Sequence, residues 1–228
     1  MGLKLRTTTF RKKIWSIYFM ELMIVILGIS IAFQVQVIYE DNQNAKRELI
    51  ALERFHSENE LNLREFESLM PYRINMEQNT RILHLILDSP FATNRDSIAN
   101  YVFTLQRIST PDLPTEAMNG YLNGNYDQRN LELEREMQAL KALYAELQEL
   151  TSHYWEKKTT YFYNPIKSEV DFSKKAVIST DKLTSLSFRN DLWSLFLDEI
   201  EQNRLYKESY DKLIDVQSLT EEALSSRQ

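Results

Sequence analysis

The chain has 228 residues, a net charge of −6 and no cysteine. Its first 39 residues carry five basic side chains and one acid, so the remainder carries a net charge of −10. An acidic chain without a basic stripe is not expected to bind nucleic acid. The lack of cysteine excludes disulfides, a catalytic thiolate and cysteine-ligated metal sites.

The first predicted element is a membrane-spanning helix over residues 14–39. It contains the run IWSIYFMELMIVILGISIAF, which is apolar apart from Glu21 and a few small residues. A run of about 20 apolar residues, rising about 1.5 Å per residue, matches a hydrocarbon core about 30 Å thick. The alternative is a signal peptide cleaved after Ser30-Ile31-Ala32. Glu21 favours a retained anchor, because it interrupts a region that a signal peptide keeps uniformly apolar.

Basic residues on one side of this helix predict its orientation. Five of them precede the span, namely Lys4, Arg6, Arg11, Lys12 and Lys13. The acids Glu40 and Asp41 follow it. The positive-inside rule therefore places residues 1–13 in the cytoplasm as a basic tail and residues 40–228 on the other side of the membrane.

Residues 40–71 are predicted to continue the helix beyond the membrane as a stalk. Neither glycine nor proline occurs between Gly28 and Pro71, and Pro71 is expected to end the helix. Within the stalk, side chains spaced alternately by four and three residues form a heptad seam typical of a coiled coil. The seam consists of Ala45, Leu49, Leu52, His56, Asn59, Leu63, Phe66 and Met70.

Residues 72–228 are predicted to fold as an antiparallel helical bundle outside the cytoplasm. Helices are expected at residues 72–89, 96–110, a short stretch after Thr115, 126–163 and 181–224. The buried side of the last helix is predicted to consist of Leu192, Phe196, Ile200, Tyr206, Tyr210, Leu213 and Ile214. Because each long helix carries an apolar stripe that needs a partner, the sequence predicts an all-α fold.

The N-terminal segment resembles the opening of an uncharacterised family of single-pass proteins common in Bacteroidota. The resemblance rests on FRKKIWSIYFMELMIVILGISIAFQVQVIYED, with a basic start, an acid early in the span and a Gly-Ile-x-Ile-Ala-x-Gln patch. It extends loosely to the junction TEAMNGYLNG and to the aromatic pair Tyr154-Trp155. The family's Asn-Trp-Asn-Glu after the span is replaced by Val37-Ile38-Tyr39-Glu40. The resemblance implies a bacterial inner-membrane protein with a periplasmic helical domain, and it implies no activity.

Glu21 is the chemically unusual residue of the predicted span. At about 100° per residue, one face of the helix presents Glu21, Val25, Gly28, Ala32 and Val35. Gly28 and Ala32 form a small-x-x-x-small pair, which lets two helices approach closely. We therefore expect Glu21 to face the transmembrane helix of a partner. The alternatives are that it reaches the cytoplasmic headgroups beside Arg11, Lys12 and Lys13, or that it handles protons or ions.

A dense aromatic group is predicted near the end of the long helix at 126–163. It comprises Tyr154, Trp155, Tyr161, Phe162 and Tyr163. Core packing is one interpretation of this group. A surface that binds a partner through Tyr154, Trp155, Tyr161 and Phe162 is the alternative, since Tyr and Trp dominate binding hot spots.

The sequence contains no motif for a catalytic, cofactor or metal site. His56, His84 and His153 fall on different predicted helices, and acidic runs are normally solvated faces. We expect a membrane-anchored scaffold, not an enzyme, that assembles with itself or with another membrane protein. Two alternatives remain open. One is a stator-like accessory of a proton-driven complex that uses Glu21, and the other is a ligand-sensing helical bundle.

Overall fold

The computed structural model describes residues 6–89, 94–126 and 130–226 and shows an all-α fold. Its helices are α1 (Arg6–Asp88), α2 (Arg95–Leu105), α3 (Glu116–Asn123), α4 (Leu131–Lys158), α5 (Asn164–Ile166) and α6 (Leu186–Ser225). A π-helical turn, Thr159–Tyr163, joins α4 to α5, and the two-residue strands β1 (Val170–Asp171) and β2 (Ala176–Val177) precede α6. The chain divides into an N-terminal unit, Met1–Ile50 with Asn125–Gln128, and a bundle unit, Ala51–Gly124 with Arg129–Gln228.

Helix α1 does not end at Pro71, so that expectation is wrong. It continues to Asp88 with Pro71 inside it. An internal proline removes one backbone hydrogen bond and costs about 3 kcal/mol. Burial of the helix after the proline offsets this cost, because Met76, Leu83 and Leu87 are all buried in the bundle unit.

The bundle unit is built on the later part of α1 together with α4 and α6. Helix α6 is antiparallel to α1, since Tyr210 Oη donates to Glu67 at 3.2 Å and Asn203 Nδ2 donates to Glu77 at 2.5 Å. It is also antiparallel to α4, where Lys212 pairs with Glu136 at 2.7 Å and Lys157 pairs with Asp198 at 2.9 Å. The predicted antiparallel arrangement of the long helices is therefore confirmed.

Polar caps begin the helices where the sequence places Asn or Ser. The Asn94 side chain accepts from Ser97 N at the start of α2, and Asn130 accepts from Glu132 N and Leu133 N at the start of α4. Ser185 accepts from Phe188 N at the start of α6. These bonds satisfy backbone N–H groups that a helix start otherwise leaves without partners.

Helix α3 has a different cap, which is supplied by α1. Thr115 makes no side-chain cap bond, although α3 begins after it as expected. Instead the buried Glu58 carboxylate accepts from Ala117 N at 2.7 Å and from Met118 N at 2.9 Å. One helical turn further along α1, Asn62 Nδ2 donates to Pro114 O at 3.0 Å. Helix α1 therefore fixes the turn before α3 as well as its first helical turn.

The buried side of α6 differs from the prediction at three positions. Ile200 is 41% exposed, Ile214 is 44% exposed and Tyr210 is half-buried, whereas Leu192, Phe196, Tyr206 and Leu213 are buried as expected. The place expected for Ile200 is taken by its neighbour Glu199, which has no exposed surface. Glu199 is retained inside because polar partners on two other helices meet it there.

Candidate functional site

The apolar N-terminal part of α1 is not covered by any described part of the chain. Its most apolar 18-residue window has a mean hydropathy of 2.2, and none of that window is buried. Leu22, Ile26 and Phe33 are each about half or more exposed. By length and composition, this is one helix segment that could cross a membrane.

The Glu21 face of this segment is open along its whole length. Glu21, Val25, Gly28, Ala32 and Val35 are all exposed. A Cβ added to Gly28 would meet nothing within 4 Å. Among the described side chains Glu21 has no ion-pair partner, and the side chains of Arg11, Lys12 and Lys13 lie outside that set. The expected helix–helix contact therefore stays a prediction, with its face free to receive a partner.

From Leu52 onward, the stalk seam packs within the bundle unit. Leu52, Asn59 and Phe66 are buried there, and His56, Leu63 and Met70 are half-buried. In the N-terminal unit, Ala45 is exposed and Leu49 is half-buried. Phe55 and Asn62 are buried in place of the expected His56 and Leu63, each one residue earlier in the chain, and Glu58 is buried beside Asn59. Within the bundle unit, the Phe66 ring lies 5.7 Å from that of Tyr206 and 6.1 Å from that of Tyr144.

The expected aromatic surface divides into core and surface residues. Tyr154 and Phe162 are buried, while Trp155 is 49% and Tyr161 38% exposed. Tyr154 and Trp155 lie on α4, whereas Tyr161 and Phe162 lie in the π-helical turn, so each of these two elements carries one buried and one exposed ring. Trp155 stands 6.2 Å from the ring of the half-buried Tyr163. A partner surface at this place would therefore consist of Trp155, Tyr161 and Tyr163.

A buried polar cluster lies at the centre of the bundle unit. Arg73 on α1 pairs with Glu199 on α6 at 2.5 Å, with exposed side-chain fractions of 3% and 0%. Tyr154 on α4 donates its hydroxyl to the same carboxylate. The guanidinium also lies over two rings, 5.8 Å from the centre of Tyr154 and 5.5 Å from that of Tyr206. Three long helices thus meet at one buried carboxylate.

Lys158 extends this cluster to the end of α2. Its Nζ donates to Arg107 O at 3.1 Å and stands 5.2 Å from the centre of the Tyr154 ring. Next to it, Tyr163 donates its hydroxyl to Gln106 O. Lys158 and Tyr163 therefore donate to the carbonyls of Arg107 and Gln106, just after the end of α2, where a helix leaves backbone acceptors without partners.

Burial sets the protonation of the cluster. It lowers the pKa of Lys158 from 10.5 to about 8, while Glu199 opposes that shift. It raises the pKa of Tyr72 to about 12. Burial together with the negative charge of Glu199 also raises the pKa of Tyr154 well above 10. At neutral pH these tyrosines are therefore uncharged, and Lys158 is a cation close to its titration point.

The cluster was not predicted because its members look like surface residues in the sequence. Arg and Glu are usually exposed on helices, and Glu199 stands in the charged stretch DEIEQNR. The one available indication is periodicity: Arg73 continues the seven-residue series of Leu52, Asn59 and Phe66. Glu199 similarly follows the buried Leu192 by seven residues.

The described histidines do not converge on a site. His56 Nε2 lies 3.4 Å from Glu221, and the His84 ring lies 5.1 Å from that of Trp193. Within the described ranges, no three His, Asp or Glu residues are arranged to hold a metal ion.

Comparison with known proteins finds no family model, no curated protein and no solved structure that matches this chain. The likeness of the N-terminal segment to a Bacteroidota family therefore stays a prediction.

Proposed function

We propose that this protein is a membrane-anchored scaffold subunit. Residues 14–39 cross the inner membrane of a bacterium, with the N-terminus in the cytoplasm and the helical bundle in the periplasm. The observation that carries the proposal is the uncovered apolar part of α1, whose 18-residue window has a mean hydropathy of 2.2 and no buried share. In water such a surface would be costly, at about 25 cal/mol for each Å² of apolar area, and a bilayer removes that cost.

The open Glu21 face supports assembly through the membrane helix. Gly28 has free space where a side chain would stand, and Ala32 lies one turn further along the same face. Helices in lipid associate through close backbone approach at small residues and through polar groups that bond across the interface. The partner is a second copy of this chain or another membrane protein.

The test is the size of the particle purified from membranes in mild detergent, measured by mass photometry or light scattering. Gly28→Leu blocks close approach on the Glu21 face, and Ile29→Leu is the matched control on the next face. We expect the first variant to release the partner or halve the particle, and the second to leave the particle unchanged. A wild-type particle of one chain alone, or equal sizes for both variants, contradicts assembly through this face.

Glu21→Gln separates scaffolding from the stator-like alternative. Glutamine keeps the shape and still bonds across helices, but it cannot carry a proton. For a scaffold we expect an intact particle and unchanged growth of cells that carry this variant. An intact particle with the same growth defect as a gene deletion favours the proton-handling role.

A further inference from the structure

A groove in the bundle unit opens beside the buried polar cluster. It has a volume of about 920 Å³ and lies between α1, α2 and the tip of the β1–β2 hairpin. Its walls include Tyr72 from α1, Phe103 from α2, Gln106 and Arg107 just after α2, and Lys175 from the hairpin. The volume is within the range of about 300–1,000 Å³ that is typical of small-molecule sites.

Two polar atoms of the groove residues lack hydrogen-bond partners although they are buried. They are the hydroxyl of Tyr72 and Nε2 of Gln106. A buried polar group without a partner costs about 1–3 kcal/mol, so such groups are rare unless something binds them. The Gln106 main chain is fixed, since its carbonyl accepts from Tyr163. Both atoms can donate, but neither has accessible surface in the free protein, so a ligand with oxygen acceptors reaches them only when the Tyr72 and Gln106 side chains turn toward the groove.

The groove is also cationic in an otherwise acidic part of the chain. Arg107 and Lys175 line it, and neither forms an ion pair among the described residues. Asp96 is the acid in its wall, which leaves a formal charge of +1. The chain as a whole is −6. One net positive charge suits a singly charged anion better than a phosphate dianion.

An aromatic wall completes the site. Tyr72 and Phe103 both line the groove, and the Phe103 ring is held edge-on by Phe172 at 6.2 Å. Rings in such a wall pack against a flat apolar body and exclude water from it. We propose that this groove binds a small aromatic carboxylate, with the ring against Phe103 and the carboxylate toward Arg107, Lys175 and the Gln106 amide.

The test is a titration of the full chain in mild detergent with benzoate, followed by calorimetry and corrected with empty micelles. We expect saturable binding of benzoate and at least tenfold weaker binding of benzyl alcohol and of inorganic phosphate. The double change Arg107→Gln with Lys175→Gln should weaken benzoate binding at least tenfold. Lys174→Gln is the matched control, because Lys174 is exposed, pairs with Asp171 and does not line the groove.

Tyr72→Phe distinguishes a ligand contact from a structural role. Because the Tyr72 hydroxyl is buried without a partner in the free protein, its removal should not lower the melting temperature, whereas it should weaken benzoate binding several-fold. The proposal fails if benzoate does not saturate the wild-type chain. It also fails if the double variant binds benzoate as the wild type does, or if benzyl alcohol binds as tightly as benzoate.

Discussion

Glu199 is the buried carboxylate at which three long helices of the bundle unit meet. Its carboxylate has no exposed surface and receives bonds from Arg73 and Tyr154 on two other helices. A carboxylate removed from water loses several kcal/mol of hydration, which only good partners offset. The contribution of the pair to stability is therefore small, but the loss of one partner is costly because the other charge is left buried alone.

Arg73→Met should lower the free energy of unfolding by about 3–5 kcal/mol, because it leaves Glu199 without its cation. The exposed Arg64, paired with Glu60 at 3.5 Å, supplies the control. Arg64→Met should change the free energy of unfolding by no more than about 0.5 kcal/mol. Denaturant unfolding in detergent measures both. A loss for Arg73→Met as small as that of the control would mean that Glu199 is not held by this pair.

Lys158 should make the stability of the bundle depend on pH. Its pKa is about 8 in the folded chain, below the value of 10.5 expected in the unfolded chain. Between those values the unfolded chain binds more protons, so stability rises with pH above 8, by up to roughly 3 kcal/mol. The raised pKa of Tyr72, about 12, acts in the opposite direction above pH 10, where the unfolded chain loses its phenolic proton first.

We therefore expect stability to rise from pH 8 to 10 and to fall at higher pH. Lys158→Met removes the titrating group and should abolish the rise while keeping the fall. Chemical denaturation at several pH values measures both limbs. An equal rise in wild type and variant would assign the titration to another group.

At the scale of elements, the sequence predicts helix type and extent well, and interior polar positions poorly. The helices expected at 126–163 and 181–224 are present, although α4 and α6 begin later, at Leu131 after the cap Asn130 and at Leu186 after the cap Ser185. The expected helix end at Pro71 is wrong because burial of the following residues outweighs the local cost of about 3 kcal/mol. A local sequence pattern does not show that burial.

The stalk seam shows a second reason for mismatch. A repeat of seven identifies Leu52, Asn59 and Phe66, which are buried, but the intermediate position can lie three or four residues on. The apolar Leu63 favours the later position in sequence. The bundle instead buries Asn62, because its amide bonds Pro114 O before α3. A long-range polar bond thus gives Asn62 a partner at the buried position.

Glu58 should hold the start of α3 in place. Glu58→Ala leaves the amides of Ala117 and Met118 without their acceptor, at a cost of about 1–2 kcal/mol. We expect faster hydrogen exchange at residues 117 and 118 and a modest loss of stability. Glu60→Ala, two positions away on the exposed side of α1, is the control. Exchange at α3 that is equally slow in both variants would contradict the cap.

At the scale of the whole molecule, the N-terminal unit can be predicted from the sequence more completely than the bundle unit. Continuous hydropathy predicts the apolar helix segment, because a spanning helix is a local property. The groove is not predicted, since Tyr72, Gln106 and Lys175 are far apart in sequence and meet only in the fold. The polar cluster at Glu199 is not predicted for the same reason, because Arg73, Tyr154 and Glu199 are far apart in sequence.

The anchored, single-pass topology is the central claim, and single-cysteine labelling tests it most directly because the natural chain has no cysteine. Thr7→Cys marks the N-terminal side of the span and Gln138→Cys, on the exposed side of α4, marks the bundle. Cells with a permeabilised outer membrane are treated with a maleimide that does not cross the inner membrane. We expect labelling of Gln138→Cys in the membrane fraction and labelling of Thr7→Cys only after the inner membrane is lysed. Labelling of Thr7→Cys in unlysed cells with protection of Gln138→Cys, or recovery of the chain in the soluble fraction, would contradict the account.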